Sequence, residues 1–436
     1  MINSIFGKLL EKRYAIWKLF DEYPLLSLII IAIIPRLIIL FYVSISSQLF
    51  PFGGLDHDGY CEIAENLVKN GIYSIDGVSP TFGRAPLYPF LLAPGAFFGV
   101  TYHWGRILNL ILGVTACVFL FRSGILFGVS KKIAFMFALF LALNPWFAWF
   151  TKNGMTYVLT TFLLSFIYLL IATIYAGNRR LYIFILLGLV SGLTALSHPA
   201  YLPLIFGVAM AIIAILVGKS ITVKRTVYRL MVMIFAFITI ILPWTLRNYY
   251  HTKEFFPIVS GFGYQYLRSA LRIELLLKKG KFPWEKEGDI TETLGLPIDP
   301  SNIKFFVISS DRLNKELDGM AKKHILTNIK DSPIYFAKSI MVNILFLWFG
   351  DSNWWLVLMH LTYILFLILT TIIGITLNHK FFDVFVIIVV IAPIMLLHGI
   401  MHAYIQHAAY SIPLTLSLIL SAMISCADQS KDFSNY

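Results

Sequence analysis

The chain has 436 residues, of which 58% are hydrophobic and 13% are charged, and 35 Lys and Arg outnumber 23 Asp and Glu to give a net charge of +12. A typical soluble domain is about 45–50% apolar and about 25% charged. The composition therefore excludes a cytosolic enzyme, a disordered chain and a disulfide-stapled secreted domain. It indicates an all-α polytopic membrane protein, whose basic residues collect on cytoplasmic loops rather than on a surface for nucleic acid.

The first predicted span is Leu25–Val43, which is long enough to cross a bilayer core of about 30 Å. A basic segment precedes it, so we expect the N-terminus to be cytoplasmic. No small-residue cleavage site follows, and we expect an uncleaved anchor. The next loop, residues 48–84, is then outside the cell. Its acidic composition agrees with this placement, with Asp56, Asp58, Glu62, Glu65 and Asp76 against Lys69 and Arg84.

Long apolar windows separated by short basic loops predict the other spans. Residues 86–99 are short and interrupted by proline, so we expect them to lie at the interface or to dip into the membrane. Residues 335–349 fit either a span or a dipping helix, which gives about ten or eleven spans and leaves the side of the C-terminus open. The windows are 106–127, 133–150, 157–176, two within 183–217 broken at His198-Pro199, 227–246, 355–377, 382–398 and 412–427.

A long polar stretch, residues 247–333, falls outside on this count and has the mixed composition of a folded domain. Within it, Asp311–Lys330 reads as an amphipathic helix whose apolar face carries Leu313, Leu317, Met320 and Ile325. The chain therefore divides into five parts. These are the N-terminus with the first span (1–47), the first outer loop with interfacial helices (48–104), a transmembrane bundle (105–246), the outer loop domain (247–333) and a second bundle (334–436).

The first outer loop contains two carboxylates, Asp56 and Asp58, separated by one residue. Such a pair can hold a divalent cation through its oxygens, or one member can act as general base on a hydroxyl. The alternative is structural: Asp58 precedes a helix in which Tyr60, Ile63 and Leu67 share a face, and it would cap that helix. On this motif alone, capping is favoured.

Two arginines stand where polar loops meet the outer membrane surface. Arg84 lies at headgroup depth and can bind a phosphate bidentately, although generic headgroup contact is the simpler interpretation. Arg247 follows Pro243-Trp244, at a face where the positive-inside tendency predicts no cation. Phosphate binding and headgroup contact remain equal alternatives for it. Arg36 lies inside the first span, where we expect it to snorkel or to pair internally.

Other chemistry-bearing residues form no recognisable motif. Cys61, Cys117 and Cys426 have no C-x-x-C spacing, so neither a disulfide framework nor a zinc site is predicted. His398 and His402 are four apart but have no carboxylate nearby, which favours an interfacial polar cluster over a metal pair. No P-loop or G-x-S-x-G motif supports ATP-driven transport or serine hydrolysis.

The order of these elements resembles the GT-C membrane glycosyltransferases, in particular the group of protein O-mannosyltransferases and aminoarabinose transferases (family 39 and its relatives). The resemblance covers most of the chain. It rests first on a single N-terminal span followed by the acidic segment Leu55-Asp-His-Asp-Gly-Tyr-Cys-Glu-Ile-Ala64. Next in the chain come Gly83-Arg-Ala-Pro-Leu-Tyr-Pro89 and Arg106-Ile-Leu-Asn109. The last two elements are Leu242-Pro-Trp-Thr-Leu-Arg-Asn248, before a large outer loop, and Tyr410-Ser-Ile-Pro413.

The resemblance implies roles for individual residues. Asp56 matches the leading aspartate of an acidic motif essential for transfer and would be the general base, with Asp58 orienting it or the acceptor. Arg84 and Arg247 would bind the donor phosphate. Acceptor or accessory positions would be Tyr60, Glu62, Tyr88 and Tyr410.

Two departures from the family pattern stand out. Relatives usually place an acidic residue at the start of the fourth span, where this chain reads Lys152-Asn153-Gly154, and Ala409 stands where an arginine usually precedes Tyr410. The missing carboxylate weakens the case for a metal. A divalent cation on Asp56 and Asp58 stays open but is not required by the sequence.

Sidedness constrains the expected reaction. Nucleotide sugars are cytosolic, so an outward-facing site needs a donor already carried across the membrane, such as a polyprenyl-phosphate sugar. We expect an inverting glycosyltransferase of the inner or plasma membrane, acting on its extracytoplasmic side on a glycan, lipid or protein acceptor. The alternatives are a flippase or transporter of lipid-linked sugar, and a glycan polymerase or ligase. The sequence shows no paired repeats of the kind typical of transporters.

Overall fold

The computed structural model describes residues 22–46, 59–152, 154–279 and 311–349, together with a few positions between 386 and 393. Within these residues the chain is helical and contains no strand. The helices are α1 (Pro24–Ser46), α2 (Tyr60–Asn70), α3 (Leu87–Phe97), α4 (Thr101–Leu126), α5 (Lys131–Leu143), α6 (Pro145–Trp149), α7 (Tyr157–Tyr175), α8 (Leu181–Ser197), α9 (Leu204–Gly218), α10 (Val223–Thr252), α11 (Phe262–Lys279), α12 (Asp311–Asp331) and α13 (Pro333–Phe349).

Five stretches in this part of the chain are long and apolar enough to cross a membrane, and α3 and α8 are shorter apolar helices. Four of the five correspond to α1, α4, α7 and α10, and the fifth is Pro199–Gly218, which ends with α9. The short helix expected within residues 86–99 is α3. The spans predicted at 355–377 and 412–427 lie outside the described residues, as does almost all of 382–398.

Proline decides where two apolar windows break. The predicted break at His198-Pro199 is confirmed: His198 is extended, with ψ of 121°, and α8 ends before it. The single span predicted at 133–150 is wrong, because α5 ends at Leu143 and the separate α6 begins at Pro145. A residue before proline avoids the helical region, and Asn144 is accordingly extended. Its side-chain oxygen then accepts from the backbone N–H of Phe147 at 2.9 Å.

Arg36 ties the first helix into the bundle. Its side chain is fully buried, and Nη1 donates to the carbonyl of Ala32 at 2.6 Å and to that of Ala142 at 3.2 Å. The guanidinium lies 4.8 Å from the ring centre of Phe147. Gly113 of α4 faces it, and a Cβ there would lie 2.8 Å from Nε. Internal pairing, rather than snorkelling, therefore explains this intramembrane cation.

Helices α8 and α10 run parallel in close contact. A Cβ on Gly188 would clash with the carbonyl oxygen of Met233, and a Cβ on Gly192 would lie 3.2 Å from the carbonyl oxygen of Phe237. A later residue of α8 thus contacts a later residue of α10, so the two helices run in the same direction. Both helices therefore begin at the same membrane face. The two glycines allow this approach because any side chain would separate the backbones.

Helices α11 and α12 pack together after α10. The backbone N–H of Gly263 donates to Asp318 Oδ1 at 2.5 Å, and burial of this carboxyl raises its pKa above the usual value. The predicted amphipathic helix is confirmed as α12. Its buried face contains Leu317 and Ala321, with Ile325 partly buried, whereas Met320 is exposed and does not belong to that face.

Candidate functional site

The acidic motif directly precedes the described part of the site. Asp56 and Asp58 lie outside the described residues, as does Tyr410. Gly59 stands at the N-cap of α2, with φ of 75° and no side-chain cap. The N-cap position is therefore residue 59, and the capping role considered for Asp58 lies outside the described residues. A left-handed φ there favours glycine.

The loop between α2 and α3 is held by its own side chains. Asp76 Oδ1 accepts from the Ser74 hydroxyl at 2.7 Å and from the backbone N–H groups of Val78 and Ser79 at 2.9 and 2.8 Å. These bonds lower the pKa of Asp76 to about 2. Asn66 of α2 donates to the carbonyls of Ser74 and Ile75. Asp76 is thus a turn-forming carboxylate, which fixes the loop that presents Arg84.

Tyr73 lies at the centre of this loop. Its buried hydroxyl donates to the carbonyls of Arg84 and Ala85, at 3.2 and 3.0 Å, and its ring meets Trp244 edge-on with centroids 4.7 Å apart. Burial raises the pKa of Tyr73 well above its usual value, Tyr60 raises it further, and Arg247 and Arg84 act against this. Tyr73 therefore stays protonated and serves as a donor, not as a base.

Arg247 reaches this loop from the end of α10. Its Nη1 donates to the carbonyl of Thr81 and to Asn248 Oδ1, both at 3.1 Å. The guanidinium carbon lies 4.5 Å from the ring centre of Phe82, 4.7 Å from Trp244 and 5.5 Å from Tyr73. Three aromatic rings and two neutral oxygens thus fix the orientation of a cation at the predicted outer face.

The segment after α10 joins the helix to the loop. Trp244 Nε1 and Asn248 Nδ2 both donate to the carbonyl of Ile258, at 2.9 and 3.0 Å. The backbone N–H of Ser260 donates to the carbonyl of Phe82 at 2.9 Å. The loop of Arg84, the end of α10 and the entrance to α11 consequently form one hydrogen-bonded unit.

Arg84 and Arg247 are brought together around Tyr73, although 163 positions separate them in the sequence. Both arginines act electrostatically on the Tyr73 hydroxyl, and so does Tyr60 at the start of α2. Arg84 is half-buried and donates to the carbonyl of Gly83. The two arginines expected at a common site therefore share one region, which adjoins the helix that follows Asp58.

The proposed accessory residues of α2 and α3 lie beneath this region. Tyr60 and Tyr88 are buried and meet edge to face at 5.8 Å, and Tyr88 donates to Asn109 Oδ1 at 3.3 Å. Glu62 Oε1 is 3.5 Å from the hydroxyl of Tyr102, on α4. The two tyrosines therefore hold α2 against α3 and α4 and lie away from the surface of the site.

A second pair of cations stands near the start of α2. Lys152, in a short 3₁₀ turn (Phe150–Lys152), places Nζ 3.5 Å from the ring centre of Trp149. Burial lowers the pKa of Lys152, and the nearby positive charge of Arg106 lowers it further. Arg106 in turn lies close to Cys61 of α2. From the sequence, Lys152 was noted only as a departure from the family pattern, and no role was predicted for Arg106. No local sequence pattern shows that these distant segments come together.

Within the described ranges, no group of three His, Cys, Asp or Glu side chains comes together as a potential metal site. The only sequence candidates, Asp56 and Asp58, lie outside these ranges. A divalent cation thus stays an open expectation.

No protein-family profile and no curated protein matches this chain. It is similar to archaeal oligosaccharyltransferase AglB from Archaeoglobus fulgidus, solved with an inhibitory peptide and a dolichol-phosphate. The TM-score is 0.52 at 14% identity, over 95% of this chain and 52% of that one. The chain thus spans about half the length of AglB.

A second solved structure, ArnT from Cupriavidus metallidurans bound to undecaprenyl phosphate, matches with a TM-score of 0.38. Identity is 12%, over 86% of this chain and 74% of that one. Its apo form gives a TM-score of 0.36. The likeness to AglB and the apolar helices show that this multi-pass integral membrane protein has the fold of the GT-C membrane glycosyltransferases, as the order of its sequence motifs predicts.

Proposed function

We propose that the chain transfers a sugar from a polyprenyl-phosphate donor to an acceptor hydroxyl. The observation that carries the proposal is the convergence of Arg84 and Arg247 on Tyr73, next to the helix that follows Asp56 and Asp58. The Tyr73 hydroxyl donates to the carbonyl of Arg84 at 3.2 Å, and the Tyr73 ring centre lies 5.5 Å from the guanidinium carbon of Arg247. The fold supports it, since AglB has this fold and was solved with a dolichol-phosphate.

The two arginines would bind the phosphate of the donor. Guanidinium groups present planar N–H donors that match phosphate oxygens, and such charge-assisted bonds are about twice as strong as neutral ones. The ring cage and the bond to Thr81 hold Arg247 in one orientation. Cations fixed in this way stabilise the negative charge that develops on the leaving phosphate, without reorganising during the reaction.

Asp56 would take the proton of the acceptor hydroxyl. The hydroxyl oxygen then attacks the anomeric carbon, a new glycosidic bond forms, and the bond from that carbon to the phosphate oxygen breaks. Polyprenyl phosphate leaves and the configuration inverts. Asp58 would orient Asp56 or the acceptor. General-base catalysis of this kind contributes about 10²–10⁴-fold to the rate.

The positive charge near α2 argues for a reaction without a metal. Lys152 and Arg106 lie close to each other, and Arg106 lies close to Cys61 in the first turn of this helix. A divalent cation on Asp56 and Asp58 would be repelled by both. We therefore propose that these side chains supply the positive potential at the acidic loop.

The site would face the outside of the cell or the corresponding compartment. The opposite end of the bundle carries the basic loops with Arg179, Arg180, Lys224 and Arg225, and positive loops are retained in the cytoplasm. We propose an inner or plasma membrane location. The donor then reaches Arg84 from the outer leaflet, where its prenyl tail is dissolved.

The proposal is tested with the purified full chain and a panel of polyprenyl-phosphate sugars. We expect an acceptor-dependent release of polyprenyl phosphate, measured by thin-layer chromatography. Reconstituted vesicles with a fluorescent donor test the flippase alternative. Movement of intact donor between leaflets without release of polyprenyl phosphate would show the flippase alternative instead.

A further inference from the structure

Three arginines cluster at the other end of the bundle. Arg225 and Arg229 lie four apart on the first turns of α10 and so share a face. Arg179 lies two residues before the start of α8. Arg229 Nη2 donates to the carbonyl of Arg179 at 3.4 Å, and its guanidinium carbon lies 5.4 Å from the ring centre of Phe184. The three residues define what we call the arginine cluster.

The backbone adds positive potential to this cluster. Because α8 and α10 run parallel, both N-termini lie at the same membrane face. A helix N-terminus carries about half a positive charge. The positive ends of two helix dipoles therefore lie beside the positively charged side chains of the arginine cluster.

No carboxylate neutralises the arginine cluster within the described part of the chain. The neighbouring connections, residues 176–180 and 218–222, contain no Asp or Glu. Arg179 Nε and Arg229 Nη1 are buried and have no hydrogen-bond partner among the described residues. Like charges brought together and partly dehydrated are unfavourable unless an anion binds between them.

The cluster lies one membrane thickness from the candidate donor site. Arg229 and Arg247 are on the same helix, and at a rise of about 1.5 Å per residue they are about 27 Å apart along its axis. The hydrocarbon core of a bilayer is about 30 Å thick. The arginine cluster therefore lies at the level of phosphate headgroups in the opposite leaflet.

We propose that Arg179, Arg225 and Arg229 form a second phosphate-binding site, at the membrane face opposite to Arg84 and Arg247. Its ligand is a phosphate group, carried by an anionic phospholipid or free in solution. A phosphate between the arginines accepts charge-assisted hydrogen bonds from their guanidinium groups and offsets their repulsion. This inference is independent of the reaction proposed above.

Thermal unfolding of the full chain in detergent tests the site. The probes are dioctanoyl phosphatidylglycerol, dioctanoyl phosphatidylcholine and inorganic phosphate at equal concentrations. A ligand that binds the folded state raises Tm, and we expect phosphatidylglycerol to raise it by about 2–4 °C. In Arg179→Gln/Arg229→Gln this shift should fall by at least roughly half. An equal shift with inorganic phosphate identifies free phosphate as the ligand of the same site.

A matched variant separates specific binding from the loss of charge. Lys131→Gln/Lys132→Gln removes the same number of positive charges from the start of α5 and should keep the full lipid response. Native mass spectrometry counts retained phosphatidylglycerol directly, so it reports on binding even where Tm is altered. Arg179→Lys/Arg229→Lys keeps the charge without the planar fork and should retain less lipid than the wild type. An unchanged lipid response in the glutamine pair, or the same loss in both glutamine variants, overturns the proposal.

Discussion

The hydroxyl of Tyr73 and the backbone carbonyl of Arg84 are joined by a hydrogen bond of 3.2 Å, so the candidate phosphate-binding arginine is positioned through its main chain. The same hydroxyl also donates to Ala85 at 3.0 Å. A buried tyrosine kept protonated by its surroundings is a fixed donor. The position of Arg84 therefore depends on a residue that need not contact the substrate.

Replacing Tyr73 tests this dependence. We expect Tyr73→Phe to raise the donor KM about three- to tenfold with little change in kcat, because loss of one hydrogen bond is worth about 0.5–1.5 kcal/mol. The measurement is steady-state release of polyprenyl phosphate. Tyr266→Phe, on α11, is the matched control and should leave KM unchanged. A Tyr73→Phe variant with the wild-type KM would separate Tyr73 from the positioning of Arg84.

Direct loss of a guanidinium should have a larger effect. Arg84→Gln and Arg247→Gln each remove charge-assisted bonds worth about 1.5–3 kcal/mol, so we expect the donor KM to rise about 10- to 100-fold. Arg122→Gln, an exposed position on α4, is the control. Titration of donor binding by tryptophan fluorescence checks the assignment. Unchanged affinity in both variants contradicts a phosphate role for the pair.

The general base is tested through kcat. We expect Asp56→Asn to lower kcat about 10²–10⁴-fold while donor affinity stays near the wild-type value, because the amide cannot accept the proton. Asp331→Asn, exposed at the end of α12, is the control. Single-turnover measurement isolates the chemical step. Full activity in Asp56→Asn would remove that residue from the mechanism.

Acid should weaken the turn made by Asp76. The pKa of this carboxyl is lowered to about 2, against an ordinary value of about 3.9, so the folded state favours the ionised form. Its contribution to stability is fully present above the ordinary pKa and disappears as the pH falls through about 2. The Tm difference between wild type and Asp76→Asn should therefore shrink below about pH 4. A difference that stays constant from pH 7 to 2.5 contradicts this.

The close approach of Gly113 to Arg36 predicts the effect of one methyl group. A Cβ on Gly113 would lie 2.8 Å from Arg36 Nε, whereas one on Gly319 of α12 meets nothing within 4 Å. Gly113→Ala should cost about 1–3 kcal/mol by overpacking, and Gly319→Ala should stabilise by up to about 1 kcal/mol. Thermal unfolding of both variants measures these changes in stability. Equal effects of the same sign would rule out a tight contact at Arg36.

Local chemistry explains which parts of the fold could be predicted. The break at His198-Pro199 was predictable because proline lacks an N–H and restricts its neighbour. Asn144-Pro145 has the same chemistry, yet the strongly apolar residues around it favoured a continuous span. A single proline hardly changes the average hydropathy of a window. The buried environment of Arg36 likewise depends on three other helices, which no local pattern identifies.

The candidate site shows the same limit. Arg84 and Arg247 were predicted because cations at the outer interface are unusual, and the structure places them in one region. Tyr73 and Phe82 were missed, since an aromatic residue in an irregular loop has no period to distinguish it. The bond between Arg247 and Thr81 joins positions 166 apart in the sequence. Such a contact follows from the whole fold, so only the structure could identify the residues that orient the arginine.

Helix α10 fixes the distance between two cations at opposite faces of the membrane. It carries Arg229 near one end and Arg247 near the other, and a continuous helix resists compression and stretching. A bilayer much thinner or thicker than their spacing leaves one of the two cations away from its headgroup layer, or makes the helix tilt. We therefore expect the protein to prefer membranes whose thickness matches this one helix, and the proposed transfer to be fastest in lipids with acyl chains of that length.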